Sequence, residues 1–283
     1  MSFIRRNRST QRPTARDELA ERRARLRSSG RDLARIKRRS VAHDPVSTSR
    51  SIMLMQEPRL FSPEQLDFMK IIHPQSQNRR LVDTFRELRT RLLGLRRGEN
   101  FSMMIASVSP EGGGTFVSMN LAASIAFEDS KTSLLVDCNL QNPYFHKVLQ
   151  LARLDSGTGL TDYLSDPSIG IESVVRPSGI PRLRIVPVGS STQSSVEYFS
   201  SSTMRAFLAE AKQRYKDRFI IIDSPSLVSS ADAKILANLA DYIVLVIPYG
   251  RVTTSQIVAA CQDIDQRKLV GTVLNNEPLA ELS

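Results

Sequence analysis

Residues 107–115 read Ser-Val-Ser-Pro-Glu-Gly-Gly-Gly-Thr, between an apolar run at 101–106 and a helix-like run at 116–127. Strand, glycine-rich turn and helix, in that order, form the context of a phosphate-binding loop. Such a loop needs backbone N–H groups converging at a helix N-terminus, and glycines let a phosphate come close to them. Gly112, Gly113 and Gly114 supply that backbone. Thr115 takes the place of the Ser/Thr whose hydroxyl binds Mg²⁺. Gly114 stands where a lysine would reach the β- and γ-phosphates. Three glycines alone more often mean a pliant turn, so the rest of the chain has to decide.

Four more apolar, β-like runs follow at 133–136, 183–186, 219–222 and 242–247, and a fifth lies at 270–274. Helical stretches separate most of them. Apolar strands alternating with helices predict an α/β fold of the P-loop NTPase-like kind, a mostly parallel sheet with helices on both faces. Ahead of the loop, Leu81, Phe85, Leu88, Leu92 and Leu95 recur at helical spacing. The chain therefore divides into an arm at 1–50, a linker at 51–80 and a nucleotide-binding domain at 81–283.

The charge is confined to the arm. Residues 1–50 hold 15 of the 39 Lys/Arg and 5 of the 29 Asp/Glu, which accounts for the whole net charge of +10. This arm is Arg- and Ser-rich, a composition that predicts disorder. Residues 17–39 also have the makings of a basic helix, with Leu19, Leu26 and Leu33 seven residues apart and Ile36 on the same side. Three readings stand open for the arm: a solvated tail, a segment that binds a membrane surface or a partner, and a DNA-binding tail, which is the least favoured. No run approaches the ~18–20 apolar residues of a membrane span. Cys138 and Cys261 form neither a CxxC pair nor a zinc spacing, which fits a reducing, cytoplasmic setting.

Two of the strands end on a carboxylate. Leu134-Leu135-Val136-Asp137 is one, and Phe219-Ile220-Ile221-Ile222-Asp223-Ser224-Pro225 is the other. In a parallel sheet the C-terminal strand ends line one crevice, where ligands sit. Thr115, Asp137 and Asp223 together form a candidate Mg²⁺ shell, with Asp223 free to act through water. Either aspartate alone would more readily be read as capping a turn or helix, and the two together favour the site.

From about Asp83 to Asn276 the chain resembles the bacterial tyrosine kinases (BY-kinases) of capsule and exopolysaccharide synthesis, P-loop proteins related to the ParA/MinD ATPases. Residues 107–122, ending in Asn120-Leu121-Ala122, are similar to the family's first nucleotide motif. Residues 134–143 are similar to its second acidic motif, with His146 following. Gly159 to Leu164 resembles another landmark. Ile222 to Pro225 resembles the Walker B motif, with Ala231-Asp232-Ala233 behind it. Gly271 to Asn275 resembles the strand whose terminal Asn reads adenine. The resemblance implies ATP or ADP with Mg²⁺ as cofactor, with Gly112, Gly113, Gly114, Thr115 and Asn275 around the nucleotide and Asp137 as base or metal ligand. It also implies a homo-oligomer, docked through a helix that here carries Asp83, Arg86 and Arg89.

The departures are as specific. The loop lysine is Gly114, the second acidic position is Asn139 and the arginine after it is Gln141. The loop's other lysine position, used by ParA/MinD-type ATPases, is Ser109. A C-terminal tyrosine cluster is absent, and the last tyrosine is Tyr249. Arg251 and Lys147 are candidate replacement cations. The expectation is an ATP-binding, tyrosine-kinase-like regulator, a pseudokinase or weak kinase. It would serve a separate, membrane-embedded polysaccharide co-polymerase that sets chain length, at the inner face of the plasma membrane. An active kinase acting on a partner, a ParA/MinD-type ATPase and a scaffold without nucleotide are the alternatives.

Overall fold

A computed structural model describes residues 60–95, 99–145, 157–190 and 195–278. The basic arm with its candidate helix, the first part of the linker, His146 and Lys147 lie outside the described residues. Helix α1 (Pro63–Phe68) is followed by α2 (Arg79–Leu93), β1 (Ser102–Ser107), α3 (Gly114–Ala126) and β2 (Thr132–Asp137). Then come α4 (Leu160–Ser165), β3 (Arg176–Pro177), β4 (Leu183–Val186), α5 (Ser195–Ser200), α6 (Ser202–Arg214) and β5 (Arg218–Asp223). The last elements are α7 (Ala231–Leu239), β6 (Tyr242–Pro248), α8 (Thr254–Gln262) and β7 (Leu269–Asn275).

The strands form one sheet in the order β3-β4-β2-β5-β1-β6-β7. All neighbours run parallel except β3, which pairs antiparallel with β4 through Arg176 and Pro177. That short edge strand has too little pattern to be read from sequence. Strands β1, β2 and β5 are buried along their whole length, which is why they read as unbroken apolar runs. Their side chains alternate between two cores. Met104, Leu134, Ile220 and Ile222 pack with Phe199, Phe207 and Leu236 on one face. Met103, Leu135, Phe219 and Ile221 pack with Phe85, Val117, Leu121 and Ile125 on the other.

Helix α3 is buried on nearly every side from Val117 to Ala126. A helix that is apolar all round belongs inside a protein, and α3 lies between the sheet and α2. The predicted stripe on α2 turns inward, with Phe85 edge-on to Phe116 at 5.9 Å. The helix ends at Leu93, so Leu95 lies past it and is exposed.

Residues 60–78, read from sequence as linker, pack against the domain. Ser62 and Gln65 cap α1 reciprocally around Pro63, and Leu66, Ile71 and Ile72 are buried. The buried amide of Asn120 on α3 holds this stretch in place. Its oxygen accepts from the Ile72 N–H at 2.8 Å, and its nitrogen donates to the Lys70 carbonyl at 3.1 Å and the Phe116 carbonyl at 3.0 Å. Short apolar clusters without periodicity hid this packing from a sequence reading.

Candidate nucleotide site

The loop after β1 runs along the C-terminal edge of the sheet and delivers the chain into α3. Its three glycines differ in what the backbone asks of them. A Cβ on Gly112 would lie 2.9 Å from Ser107 Cβ and 3.0 Å from the Ser109 carbonyl oxygen. Gly113 has φ +89°, and a Cβ there would run into the Asn275 amide. Both positions therefore require glycine. Gly114 is the first helical residue, and a Cβ there meets nothing nearer than Ser107 N at 3.4 Å, an ordinary contact. The backbone does not demand glycine at the lysine position.

Asp137 and Asp223 are register partners at the C-terminal ends of β2 and β5, and both are completely buried. Asp223 is held by two hydroxyls of α3. Thr115 Oγ1 donates to its Oδ2 at 2.8 Å and Ser118 Oγ to its Oδ1 at 2.8 Å. Asp137 Oδ1 accepts from the Asn139 N–H at 3.0 Å. Among the described residues, its Oδ2 is buried with no hydrogen-bond partner. An orphaned carboxylate oxygen in a protein interior is rare and calls for a missing partner. Burial pushes the Asp137 carboxyl well above its usual range, and the neighbouring Asp223 adds to this. Burial likewise pushes Asp223 up to about 7, against the pull of its two hydroxyls. Two buried carboxyls side by side raise one another's affinity for protons, and equally for a divalent cation.

The remaining predicted residues are placed as follows. Asn275 ends β7, and its amide nitrogen donates to the Gly112 carbonyl at 3.0 Å. Because that carbonyl can only accept, the nitrogen must face the loop, and the amide oxygen is left for another donor. Asn139 contributes its backbone N–H to Asp137. Arg251 is exposed in the turn after β6. On α2, Asp83 and Arg86 form an exposed pair at 2.9 Å, whereas Arg89 turns inward and donates to the Ser124 carbonyl at 2.8 Å. Among the described residues, then, the fold brings Gly112, Gly113, Gly114, Thr115, Asp137, Asp223 and Asn275 to one edge and leaves the α2 residues apart. Ser118 escaped the sequence reading, although its place three residues after Thr115 was a usable signal.

These residues fit a magnesium–nucleotide complex. The loop is a cradle that side chains would fill, the α3 N-terminus favours anions, and Asp137 offers a buried carboxylate oxygen on the strand next to Asp223, which the Thr115 hydroxyl holds. Burial among Asp137 and Asp223 also pushes the Cys138 thiol well up, so it is a poor nucleophile. An apolar cleft lined by Met69, Ile71, Phe116, Met119 and Tyr144 opens beside Thr115.

No family model matches the chain. Comparison with individual proteins is informative. The chain is 32% identical over 184 residues to the tyrosine-protein kinase YwqD of Bacillus subtilis, covering 64% of this chain and 75% of that one. The chain belongs to the bacterial tyrosine-protein kinase family. It is also 30% identical over 201 residues to the tyrosine-protein kinase Wzc of Salmonella typhimurium, covering 69% of this chain. It spans only 27% of the length of Wzc. Among solved structures, the kinase domain of the Escherichia coli tyrosine kinase ETK superimposes with a TM-score of 0.60 at 24% identity, covering 76% of this chain and 94% of that one. The septum site-determining protein MinD of Pyrococcus horikoshii, solved with Mg-ADP, superimposes with a TM-score of 0.51 at 19% identity, covering 64% and 72%. Both likenesses show the fold alone. In this chain the loop and the following helical turns, residues 107–122, hold no lysine.

Proposed function

We propose that this protein binds Mg²⁺ with ATP or ADP at the C-terminal edge of its sheet and acts in capsule or exopolysaccharide synthesis as a tyrosine-kinase-like regulator with little or no phosphoryl transfer of its own. One observation carries the reading: Asp137, with a buried oxygen that has no partner among the described residues, is the register neighbour of Asp223, which Thr115 holds at the foot of a glycine loop whose lysine position is Gly114. Gly112, Gly113 and the Gly114 N–H would hold the phosphates. Thr115, Asp137 and Asp223 would hold the metal, and Asn275 would face the base. Phosphoryl transfer rests mainly on positioning and on neutralising charge at the transferred group. Loss of one such electrostatic contact lowers rates by about 10²–10³. Asp137 keeps a base or metal ligand in place, while Asn139 cannot take up a proton usefully.

The partner is a membrane-embedded polysaccharide co-polymerase, with Asp83 and Arg86 at a contact between copies of this protein. The basic arm would add attraction to an anionic leaflet, roughly 1 kcal/mol per well-placed basic residue. The protein would therefore work at the cytoplasmic face of the membrane. Calorimetry of Mg·ADP and Mg·ATP with the full-length protein tests the central point. Micromolar binding that Asp137→Ala weakens is expected, and phosphotyrosine formation on a purified partner then measures any remaining kinase activity. Absence of nucleotide binding, restored by Gly114→Lys, would replace this reading with that of a scaffold.

A further inference from the structure

We infer that Ser118 is a positioning residue for the metal site, fixing the carboxylate of Asp223 while Thr115 serves the cation. The inference rests on the nucleotide reading above and adds a residue to it.

Asp223 is completely buried, so the direction of its carboxylate depends on the groups that bind it. There are two, one on each oxygen, and both come from the first turn and a half of α3. Thr115 is exposed enough to reach a ligand, whereas Ser118 is fully buried. The Ser118 hydroxyl lies 2.8 Å from Asp223 Oδ1 and 3.0 Å from the carbonyl oxygen of Gly114, one helical turn back. It thus links the residue at the lysine position, the start of α3 and the end of β5 through one oxygen. Its single proton serves one acceptor at a time.

When Thr115 oxygen coordinates a cation, its hydroxyl direction is dictated by the metal, and its hold on Asp223 bends or weakens. Ser118, fully buried behind Thr115 on α3, would keep its bond to Asp223. Without it, Asp223 would turn about its side-chain torsions next to an equally buried Asp137, and the carboxylate direction needed by a metal-bound water would be lost. Mg²⁺ demands near-ideal octahedral geometry, so a misdirected carboxylate costs metal affinity more than nucleotide affinity.

The test is the Mg²⁺ dependence of ADP binding by the full-length protein, measured by calorimetry with Mg²⁺ and with EDTA for wild type, Ser118→Ala and Ser118→Thr. Ser118→Ala is expected to bind ADP in EDTA as wild type does and to lose about tenfold of the enhancement that Mg²⁺ gives, the worth of one hydrogen bond to a charged group. Ser118→Thr, which keeps the hydroxyl, should recover most of it. Thermal unfolding with EDTA and no nucleotide separates this from a folding defect. Equal enhancement in wild type and Ser118→Ala overturns the role of Ser118 while leaving the nucleotide site intact. Equal loss of ADP binding by Ser118→Ala with and without Mg²⁺ also overturns it, because the residue would then support the loop as a whole. No ADP binding by wild type or either variant overturns the nucleotide reading, and this one falls with it.

Discussion

Asn275 and Gly112 are joined across 163 residues by a 3.0 Å hydrogen bond from the asparagine amide to the glycine carbonyl. The end of β7 thereby braces the loop from outside, while Pro248, at the end of β6, packs against the same glycine. The loop is stiffened by two strands that carry none of the residues proposed to bind phosphate. Substitutions in the loop should accordingly sort by geometry. Gly113→Ala forces a side chain into the Asn275 amide at a left-handed backbone position and should lose ADP binding altogether, with stability lower by about 1–3 kcal/mol. The Cβ of Gly114→Lys meets only ordinary contacts, so this variant should fold like wild type and should bind ATP at least tenfold more tightly. Calorimetry and urea denaturation of the two variants side by side check the contrast.

Stability should depend on pH through the buried carboxyls. Asp223 has its folded pKa raised from the ordinary carboxyl range to about 7. Its contribution is therefore fully present below pH ~4, where folded and unfolded chains are both protonated. It is lost as pH rises through about 7, because the unfolded chain releases the proton first. Asp137, shifted in the same direction, adds to the decline. Urea midpoints without metal should fall between about pH 4 and 7, and Asp223→Asn should flatten that slope. A flat wild-type profile would contradict the burial argument.

Asn120→Ala should be among the most damaging single changes outside the apolar core. It strips partners from the Ile72 N–H and the Lys70 and Phe116 carbonyls and leaves a cavity. A cost of about 2–4 kcal/mol is expected from unmade buried hydrogen bonds. Equilibrium denaturation gives the number, and hydrogen exchange at Ile72 should quicken selectively.

The charged residues of α2 should separate into two kinds. Asp83→Ala and Arg86→Ala remove an exposed pair and should change stability by less than about 0.5 kcal/mol. If this face joins copies of the protein, sedimentation velocity will show smaller assemblies. Arg89→Ala removes the donor to the Ser124 carbonyl and should cost about 1 kcal/mol in the monomer as well. Its effect on assembly can be interpreted only beside that loss.

Much of the sheet was legible because β1, β2 and β5 are buried on both faces and therefore spell unbroken apolar runs. The loop was legible because glycines at 112 and 113 are demanded by contacts that no other residue tolerates. Asp137 and Asp223 were found by their position after those runs. Other features leave no such trace. The packing of Ile71 and Ile72 depends on a buried asparagine some fifty residues away, and a single sequence records no partner for it. Ser118 has the look of an ordinary small residue in a buried helix, and only the direction of its hydroxyl sets it apart. The inward turn of Arg89 depends on a rotamer, whereas its spacing from Asp83 and Arg86 suggested only a shared face.

The Asn120 brace also determines how short a working fragment can be. A fragment beginning at residue 81 would respect the apparent start of the helical stripe, yet it would discard the two backbone groups that Asn120 holds ahead of α2. The bared amide would then open a wet seam along α3, the helix whose first turn forms part of the proposed phosphate cradle. Anyone trimming this protein for crystallography or display should start at or before residue 60. A trimmed version that fails to bind nucleotide would report the missing prop rather than the chemistry of the loop.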